Sequence, residues 1–300
     1  VGRTGRLRDK INDTGAKMKR KKTRTALIYD FDGTLSTANM QEFGFIQAIG
    51  KSPSEFWSMC NNIADGQEMN HVLAYMKCML DEAKKCDISL TKDSLVVFGR
   101  DVELYNGVRE WFALINEYGK KKGVIIEHYI NSSGITEIIE GTPIAREFKK
   151  IFACSFLYDA SGIASWPAVA VDYTAKTQFL VKITKGIVDI TDSKLVNDSR
   201  KDEDKPIPFP NMIYFGDGQT DVPCMKIVKM FGGNALAVYQ KRNEKMSRTA
   251  RELLKQDRVN FICNADYSAD GEIYKVVCTI IDKIAAENEY DRLRRSNSKR

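Results

Sequence analysis

Short apolar runs alternate along most of the chain with stretches whose apolar residues recur at helical spacing. The runs suit strands buried on both faces, and they fall at 25–29, 124–130, 151–158, 212–215 and 235–239. The stretches between them predict helices at 108–119, 135–141, 142–150 and 221–232, and an amphipathic closing helix over 271–292. Strands that alternate with helices are typical of a parallel sheet covered on both faces, so the pattern predicts an α/β fold.

One region lacks this alternation. Between residues 36 and 105 there is little strand signal, whereas helix starts and stops recur. Gly50 marks a stop, SPSE at 52–55 is a capping box with proline at the first helical position, and a long helical pattern follows over 67–85. We therefore predict an all-helical cap domain over 36–105, inserted into a Rossmann-like, three-layer core. The predicted core comprises 25–35 and 106–300.

Charge is concentrated at the amino terminus. The chain has a net charge of +6 at pH 7, and residues 1–24 contain ten Lys or Arg residues but only two Asp residues, which leaves the remainder close to neutral. We predict that 1–24 is a flexible basic arm, through which alone binding to nucleic acid is expected. A second exposed segment is predicted at 190–210, which is rich in charge, Ser and Pro.

Composition bears on membrane association and on the cellular compartment of the protein. No stretch approaches the ~18 uncharged apolar residues that a membrane span requires, so no membrane partner is expected. The seven cysteines are odd in number and include no CxxC pair. This pattern favours a cytoplasmic protein with buried thiols.

Four polar clusters follow the apolar runs, at the edge where a parallel sheet binds ligands. They are 30–34, 131–134, Lys176 in VDYTAKTQF, and 216–221. Gathered carboxylates repel one another unless a cation joins them, and a site made of oxygen atoms suits Mg²⁺. Because hydroxyl and ammonium donors accompany these carboxylates, the clusters also indicate a phosphate beside the metal.

Each cluster has a simpler interpretation when it is taken alone. Asp and Gly are ordinary turn residues, Lys176 is compatible with a surface lysine, and Ser132 is compatible with a helix cap. A calcium loop fails on spacing, because Leu35 stands where Gly is required if Asp30 is position 1. The order and spacing of all four clusters favour one shared site.

The ordered set DFDGTL, a strand ending at Ser132, Lys176 and GDGQTD resembles the four motifs of the haloacid dehalogenase (HAD) superfamily. It is similar in particular to the branch that includes phosphoserine phosphatases, which carries a small helical cap between the first two motifs. The resemblance covers about 25–238, and its first and fourth motifs are specific as a pair. It implies a Mg²⁺-dependent phosphomonoester hydrolase.

The resemblance also implies residue roles. Asp30 would be the nucleophile that forms an aspartyl-phosphate, and Asp32 the general acid and then the base, with its backbone carbonyl on Mg²⁺. Asp32 favours hydrolysis, since the dehalogenases lack an aspartate there and the cation-pumping relatives carry threonine. Asp30 would also bind the metal, Asp217 would complete its protein ligands, and Asp221 would support them directly or through water. The phosphate-binding residues would be Gly33, Thr34, Ser132, Ser133 and Lys176, and the adjacent serines leave open which of them binds.

The predicted cap offers several possible substrate contacts, although most of its aromatic residues suit a core role. These residues are Glu42, Phe43, Trp57, Asn61, Asn62, Gln67, His71 and Tyr75. His71 and His128 are the only histidines, and neither is predicted to be a metal ligand or base. The favoured function is a phosphatase of a small phosphorylated metabolite. The alternatives are a phosphatase of polynucleotide ends or phosphoproteins recruited by the basic arm, and a catalytically silent scaffold.

Overall fold

A computed structural model of the chain describes residues 23–192, 194–199, 201 and 204–298. The strands are β1 (Thr23–Tyr29), β2 (Val124–Ile135), β3 (Lys150–Tyr158), β4 (Ala164–Val169), β5 (Met212–Gly216), β6 (Asn234–Tyr239) and β7 (Phe261–Asn264). The α-helices are α1 (Phe45–Ala48), α2 (Pro53–Gly66), α3 (His71–Lys85), α4 (Lys92–Gly99), α5 (Val108–Lys121), α6 (Thr136–Gly141), α7 (Ala175–Lys185), α8 (Val222–Met230), α9 (Glu244–Lys255) and α10 (Glu272–Asn297). Residues 1–22 of the predicted basic arm lie outside the described residues.

The seven strands form one sheet in the order β4-β3-β2-β1-β5-β6-β7. All neighbouring strands are parallel except β3 and β4, which are antiparallel. β1 lies at the centre, and its residues from Ala26 to Tyr29 have no exposed surface. The carboxyl ends of β1, β2 and β5 therefore meet at one edge of the sheet, and the predicted α/β fold is confirmed.

Two strands were not predicted, and both lack a buried apolar run. β4 is an edge strand that contains Pro167, and its Trp166 is 67% exposed. β7 contains only four residues, of which Phe261 is 38% exposed. An edge strand needs only one pairing partner, so it can form without the apolar pattern of a central strand.

The helix predicted at 142–150 is wrong. The chain forms only a 3₁₀ turn at Ala145–Glu147 before β3 begins. The Thr142 hydroxyl donates to the carbonyl of Ile139 at 2.7 Å, so it satisfies the end of α6 instead of capping a new helix. The long pattern predicted at 67–85 is helical only from His71, because the side chain of Asn70 caps α3 there.

The segment between β1 and α5 is helical, and no strand forms between residues 40 and 99, all of which are described. The predicted capping box is present: the Ser52 side chain accepts from the Glu55 backbone, and the Glu55 side chain accepts from the Ser52 backbone. The ring of Phe56 packs edge-on against Phe45 and Trp57, at centroid distances of 5.9 and 5.2 Å. Tyr75 is buried in the core, and Phe43 and Trp57 pack against it, which confirms the core role expected for most aromatic residues of this segment. The bounds of the segment as a domain stay a prediction.

The described helices include none that combines the length and the apolar surface needed to cross a membrane. All seven cysteines are free, and all but Cys86 are buried.

A chain of hydrogen bonds runs through the core beside β1, β2 and α5. The Trp111 indole donates to the Tyr29 hydroxyl at 2.8 Å, and that hydroxyl lies 3.1 Å from His128 Nδ1. On its other side, His128 Nε2 lies 3.0 Å from Asn116 Oδ1. A neutral imidazole protonated at Nε2 satisfies both neighbours. Burial lowers the pKa of His128 to about 3.

We expect His128 to make stability depend on pH. The unfolded chain binds this proton near pH 6.5, whereas the folded protein binds it only near pH 3. The unfolded state therefore binds more protons between these values, and the free energy of unfolding falls as pH falls, by up to about 1.4 kcal/mol per pH unit.

Urea unfolding from about pH 7.5 to about pH 4.5 measures this effect. His128→Gln should show a weaker pH dependence than the wild type. His71→Gln is the matched control, because the His71 side chain is 58% exposed. If His128→Gln and His71→Gln keep the same pH dependence, His128 does not cause it.

Candidate active site

The carboxyl ends of β1 and β5 bring together three of the carboxylates that the sequence singles out. Asp30 directly follows β1, and Asp217 directly follows β5. The backbone N–H of Asp30 donates to the carbonyl of Phe215 at 2.9 Å, which ties the two strand ends together. Carboxylate oxygens of Asp30, Asp217 and Asp221 all lie within 4.8 Å of one another. We refer to these three residues as the acidic cluster.

Lys176 lies against the acidic cluster with no exposed surface. It is in the first turn of α7, so its expected place at a strand end is wrong. Its ammonium donates to Asp221 Oδ1 at 2.8 Å and lies 3.0 Å from Asp30 Oδ1. Burial alone would lower the pKa of Lys176, but the charges of Asp221 and Asp30 raise it above its ordinary value. Lys176 is therefore a buried cation shared by two carboxylates.

If all three were ionised, the carboxylates of the acidic cluster would carry more negative charge than Lys176 can balance. Burial and the charge of Asp221 raise the pKa of Asp30 to about 7, against the opposing effect of Lys176. Burial, Asp30 and Asp221 raise the pKa of Asp217 well above its ordinary value. Asp221 Oδ2 is buried and has no hydrogen-bond partner among the described residues. Crowded carboxylates of this kind are typical of a site that binds a cation.

The Asp32 carboxylate bonds to the chain that leads into the helical segment. Its Oδ1 accepts from the backbone N–H of Met40 at 2.8 Å and from the Ser36 hydroxyl at 3.4 Å. Burial and the charge of Asp30 raise the pKa of Asp32 to about 8. This shift favours the protonated form of Asp32, which is the state that a general acid requires.

Gly33 and Thr34 form the turn that follows. Gly33 has a φ of +71°, and a Cβ atom at this position would lie 2.5 Å from Asp217 Oδ2. Only glycine combines this backbone conformation with such a close approach of the carboxylate. The Thr34 hydroxyl is buried and has no hydrogen-bond partner in the described part of the chain.

Ser132 and Ser133 lie in an irregular part of β2, where its register against β3 shifts between Asn131 and Ile135. The Ser132 hydroxyl accepts from the backbone N–H of Gly134 at 3.0 Å. The Ser133 hydroxyl is buried without a partner among the described residues. This segment reaches the site, because a Cβ atom at Gly134 would lie 3.2 Å from Asp32 Oδ2.

The possible substrate contacts in the helical segment differ in their position. The Tyr75 hydroxyl donates to the carbonyl of Ser133 at 2.5 Å, which joins α3 to the site. The Glu42 carboxylate accepts from the Trp57 indole at 2.9 Å. Phe43 is partly buried against the core. The remaining four are exposed, and the described contacts do not connect them with the acidic cluster: Asn61, Asn62, Gln67 and His71.

Three contacts at this site were not anticipated from the sequence. The Tyr214 hydroxyl donates to Asp221, the Asn131 side chain donates to the carbonyl of Lys176 at 3.1 Å, and the backbone of Met40 binds Asp32. Asn131 stands within a polar cluster, which was a usable signal. Tyr214 inside an apolar strand and the backbone N–H of Met40 give no such signal in the sequence.

Comparison with known proteins identifies solved structures that share this fold. No protein-family model matches the chain. An uncharacterized protein of Borreliella burgdorferi is 28% identical over 282 residues, which cover 83% of this chain and 93% of that protein. A HAD-family hydrolase from Salmonella enterica serovar Typhi superposes with a TM-score of 0.56 at 15% identity, over 86% of this chain and 72% of that one. The chain has the fold of a HAD-family hydrolase.

A second structure shows the same HAD-like fold. A probable phosphoserine phosphatase from Vibrio cholerae superposes with a TM-score of 0.55 at 12% identity, covering 89% of this chain and 67% of that one. The resemblance predicted from the four motifs is thus confirmed at the level of the fold. In this HAD-like fold the acidic cluster and Lys176 lie at the carboxyl edge of the sheet, where ligands of parallel sheets bind.

Proposed function

We propose that this protein is a Mg²⁺-dependent phosphohydrolase of the HAD type that acts on a small phosphorylated metabolite through an aspartyl-phosphate. One observation carries the proposal: Lys176 bonds to both Asp30 and Asp221, beside Asp217, at the carboxyl edge of a HAD-like fold. This arrangement combines a nucleophile, a cation for the phosphoryl oxygens and a set of metal ligands in one buried place.

The first step is a displacement at phosphorus. The Asp30 carboxylate attacks the phosphorus atom, the bond to the leaving oxygen breaks, and Asp32 gives its proton to that oxygen. Lys176 favours the ionised form of Asp30 and offers its ammonium to the phosphoryl oxygens. In the second step Asp32 takes a proton from water, which attacks the aspartyl-phosphate and releases inorganic phosphate and free Asp30.

The acidic cluster fits Mg²⁺. Mg²⁺ binds oxygen ligands at about 2.0–2.1 Å in an octahedron, so ligand oxygens lie within about 4.2 Å of one another. The three carboxylates offer only oxygen atoms as ligands, and Asp221 Oδ2 lacks a partner among the described residues. Asp30, Asp217 and Asp221 would hold the ion directly or through water, with the Asp32 carbonyl assigned by the resemblance. When bound, the ion stabilises negative charge on the transferring phosphoryl group.

Contacts from the helical segment support a small substrate. The Met40 backbone reaches Asp32, and Tyr75 reaches the carbonyl of Ser133. Both contacts lie beside the proposed general acid, where the leaving group of the substrate would depart. We therefore expect a compact leaving group, because it would share this space with α3 and the turn at Met40.

Metal removal tests the proposed function. We expect p-nitrophenyl phosphate hydrolysis to stop with excess EDTA and to return when Mg²⁺ exceeds the chelator, since the crowded carboxylates need the ion to hold a phosphate beside them. A panel of phosphorylated metabolites would then identify the substrate. Hydrolysis that survives complete chelation would contradict the metal-dependent mechanism. Failure of the Mg²⁺-saturated protein on every phosphomonoester would favour the silent scaffold.

A further inference from the structure

Tyr214 lies in β5 beside the acidic cluster and has no exposed surface. Its hydroxyl donates to Asp221 Oδ1 at 2.8 Å, and the Lys176 ammonium donates to the same oxygen, also at 2.8 Å. Asp221 Oδ2 is buried without a partner among the described residues. Two donors therefore converge on one oxygen of this carboxylate and leave the other oxygen for a different ligand.

The backbone of β5 also shapes the position of Asp221. A Cβ atom at Gly216 would lie 2.4 Å from Asp221 Oδ2, so this carboxylate packs directly on the strand. A buried carboxylate oxygen without a hydrogen bond is costly unless another partner reaches it. A cation, or water bound to a cation, supplies such a partner.

We expect Lys176 to constrain the orientation of Asp221 less than Tyr214 does. Its ammonium is shared with Asp30, 3.0 Å away, and a lysine side chain has several rotatable bonds. Without the phenol, the Asp221 carboxylate could rotate and offer both of its oxygens to Lys176. The Tyr214 hydroxyl opposes this rotation, because it sits on a rigid ring in the central part of the sheet.

We propose that Tyr214 is a positioning residue for the cation site. Its hydroxyl fixes the orientation of Asp221, so that Oδ2 stays available to the cation or its bound water and Lys176 stays shared with Asp30. The inference rests on the proposed function, because it assumes that the acidic cluster binds a divalent cation. Removing a residue that hydrogen-bonds to a metal ligand typically lowers metal affinity or activity by about 10–100-fold.

Titration with Mn²⁺ tests the proposal without requiring turnover. The free ion is followed by electron paramagnetic resonance in the wild-type protein and in Tyr214→Phe, which removes one oxygen atom and keeps the ring. We expect the Kd for Mn²⁺ to rise about tenfold in Tyr214→Phe. Urea unfolding of the same samples confirms that the variant is folded.

Tyr129→Phe is the matched control. Tyr129 is likewise a buried tyrosine on a central strand, and its hydroxyl donates to a carboxylate, Glu127 Oε2, at 2.6 Å. Glu127 pairs with Arg24 and Lys149 and is outside the acidic cluster. We expect the Kd of Tyr129→Phe to change by less than about twofold. An equal loss of affinity in both variants would overturn the proposal.

A second variant asks whether Tyr214 acts through Asp221. In the Asp221→Asn background, position 221 carries no charged carboxylate for the Tyr214 hydroxyl to orient. Adding Tyr214→Phe to this variant should therefore change the Kd for Mn²⁺ by less than about twofold. An independent tenfold loss there, an unchanged Kd in Tyr214→Phe alone, or a wild-type protein that binds no Mn²⁺ would each overturn the inference. A wild-type protein that binds Mn²⁺ but hydrolyses no phosphomonoester would instead contradict the proposed function.

Discussion

Replacing Asp30 by asparagine is expected to abolish phosphomonoester hydrolysis while leaving the fold intact. The amide oxygen of asparagine is a much weaker nucleophile than a carboxylate, so the aspartyl-phosphate cannot form. The substitution keeps the size of the side chain, and Lys176 keeps its bond to Asp221. Repulsion within the acidic cluster should decrease, because the substitution removes one of its negative charges. The charge of Asp221, together with burial, raises the pKa of Asp30, which shows that this charge is unfavourable. The expected loss is therefore chemical and not structural.

Two measurements check this expectation. The first is p-nitrophenyl phosphate hydrolysis with saturating Mg²⁺, which should fall to the rate of the buffer alone. The second is mass spectrometry of acid-quenched protein, in which the wild type should carry one added phosphoryl group and Asp30→Asn none. Asp282→Asn is the matched control, since Asp282 lies in α10, pairs with Tyr118 and Lys122 and is outside the acidic cluster. Turnover by Asp30→Asn comparable to that of Asp282→Asn would exclude Asp30 as the nucleophile.

Replacing Lys176 by methionine is expected to reduce both stability and turnover. The side chain has no exposed surface and pairs with two buried carboxylates. Removing one partner of a buried ion pair leaves an uncompensated charge and costs about 3–5 kcal/mol. Hydrolysis should also be lost, because no ammonium remains to face the phosphoryl oxygens. Mg²⁺ should restore more stability to this variant than to the wild type, since it replaces part of the missing positive charge.

Lys182→Met provides a matched control on the same helix. Lys182 is also buried, but its ammonium donates to the backbone carbonyls of Asp189, Ile190 and Asp192. Both variants lose a buried ammonium, whereas only Lys176→Met should become more dependent on Mg²⁺. Urea unfolding in EDTA and in Mg²⁺ gives the comparison. Equal stabilisation of the two variants by Mg²⁺ would contradict the role of the Lys176 ammonium in balancing the charge of the acidic cluster. Unchanged turnover of Lys176→Met would contradict its role in hydrolysis.

Much of the core was predictable because its signals are local. The strand TALIY is a continuous apolar run, and in the structure it becomes the fully buried centre of the sheet. DFDG and GDGQTD combine carboxylates with glycine directly after such runs. Each motif can therefore be recognised from a few neighbouring residues. The failures were also local in cause: Thr142 has the features of a helix cap, but its hydroxyl bonds to the preceding helix.

Apolar pattern and motif spacing were enough to predict the alternation of strands and helices, the helical segment and the carboxylates of the site. Which distant side chains meet depends on the order of the strands in the folded sheet. It places β5 beside β1, and so Asp217 and Asp221 beside Asp30, with Lys176 of α7 between two of them. It also assigns Tyr214 to Asp221 and the Met40 backbone to Asp32. The physical reason is range: apolar periodicity acts over neighbouring residues, whereas a hydrogen bond or ion pair depends on how the sheet orders strands far apart in the chain.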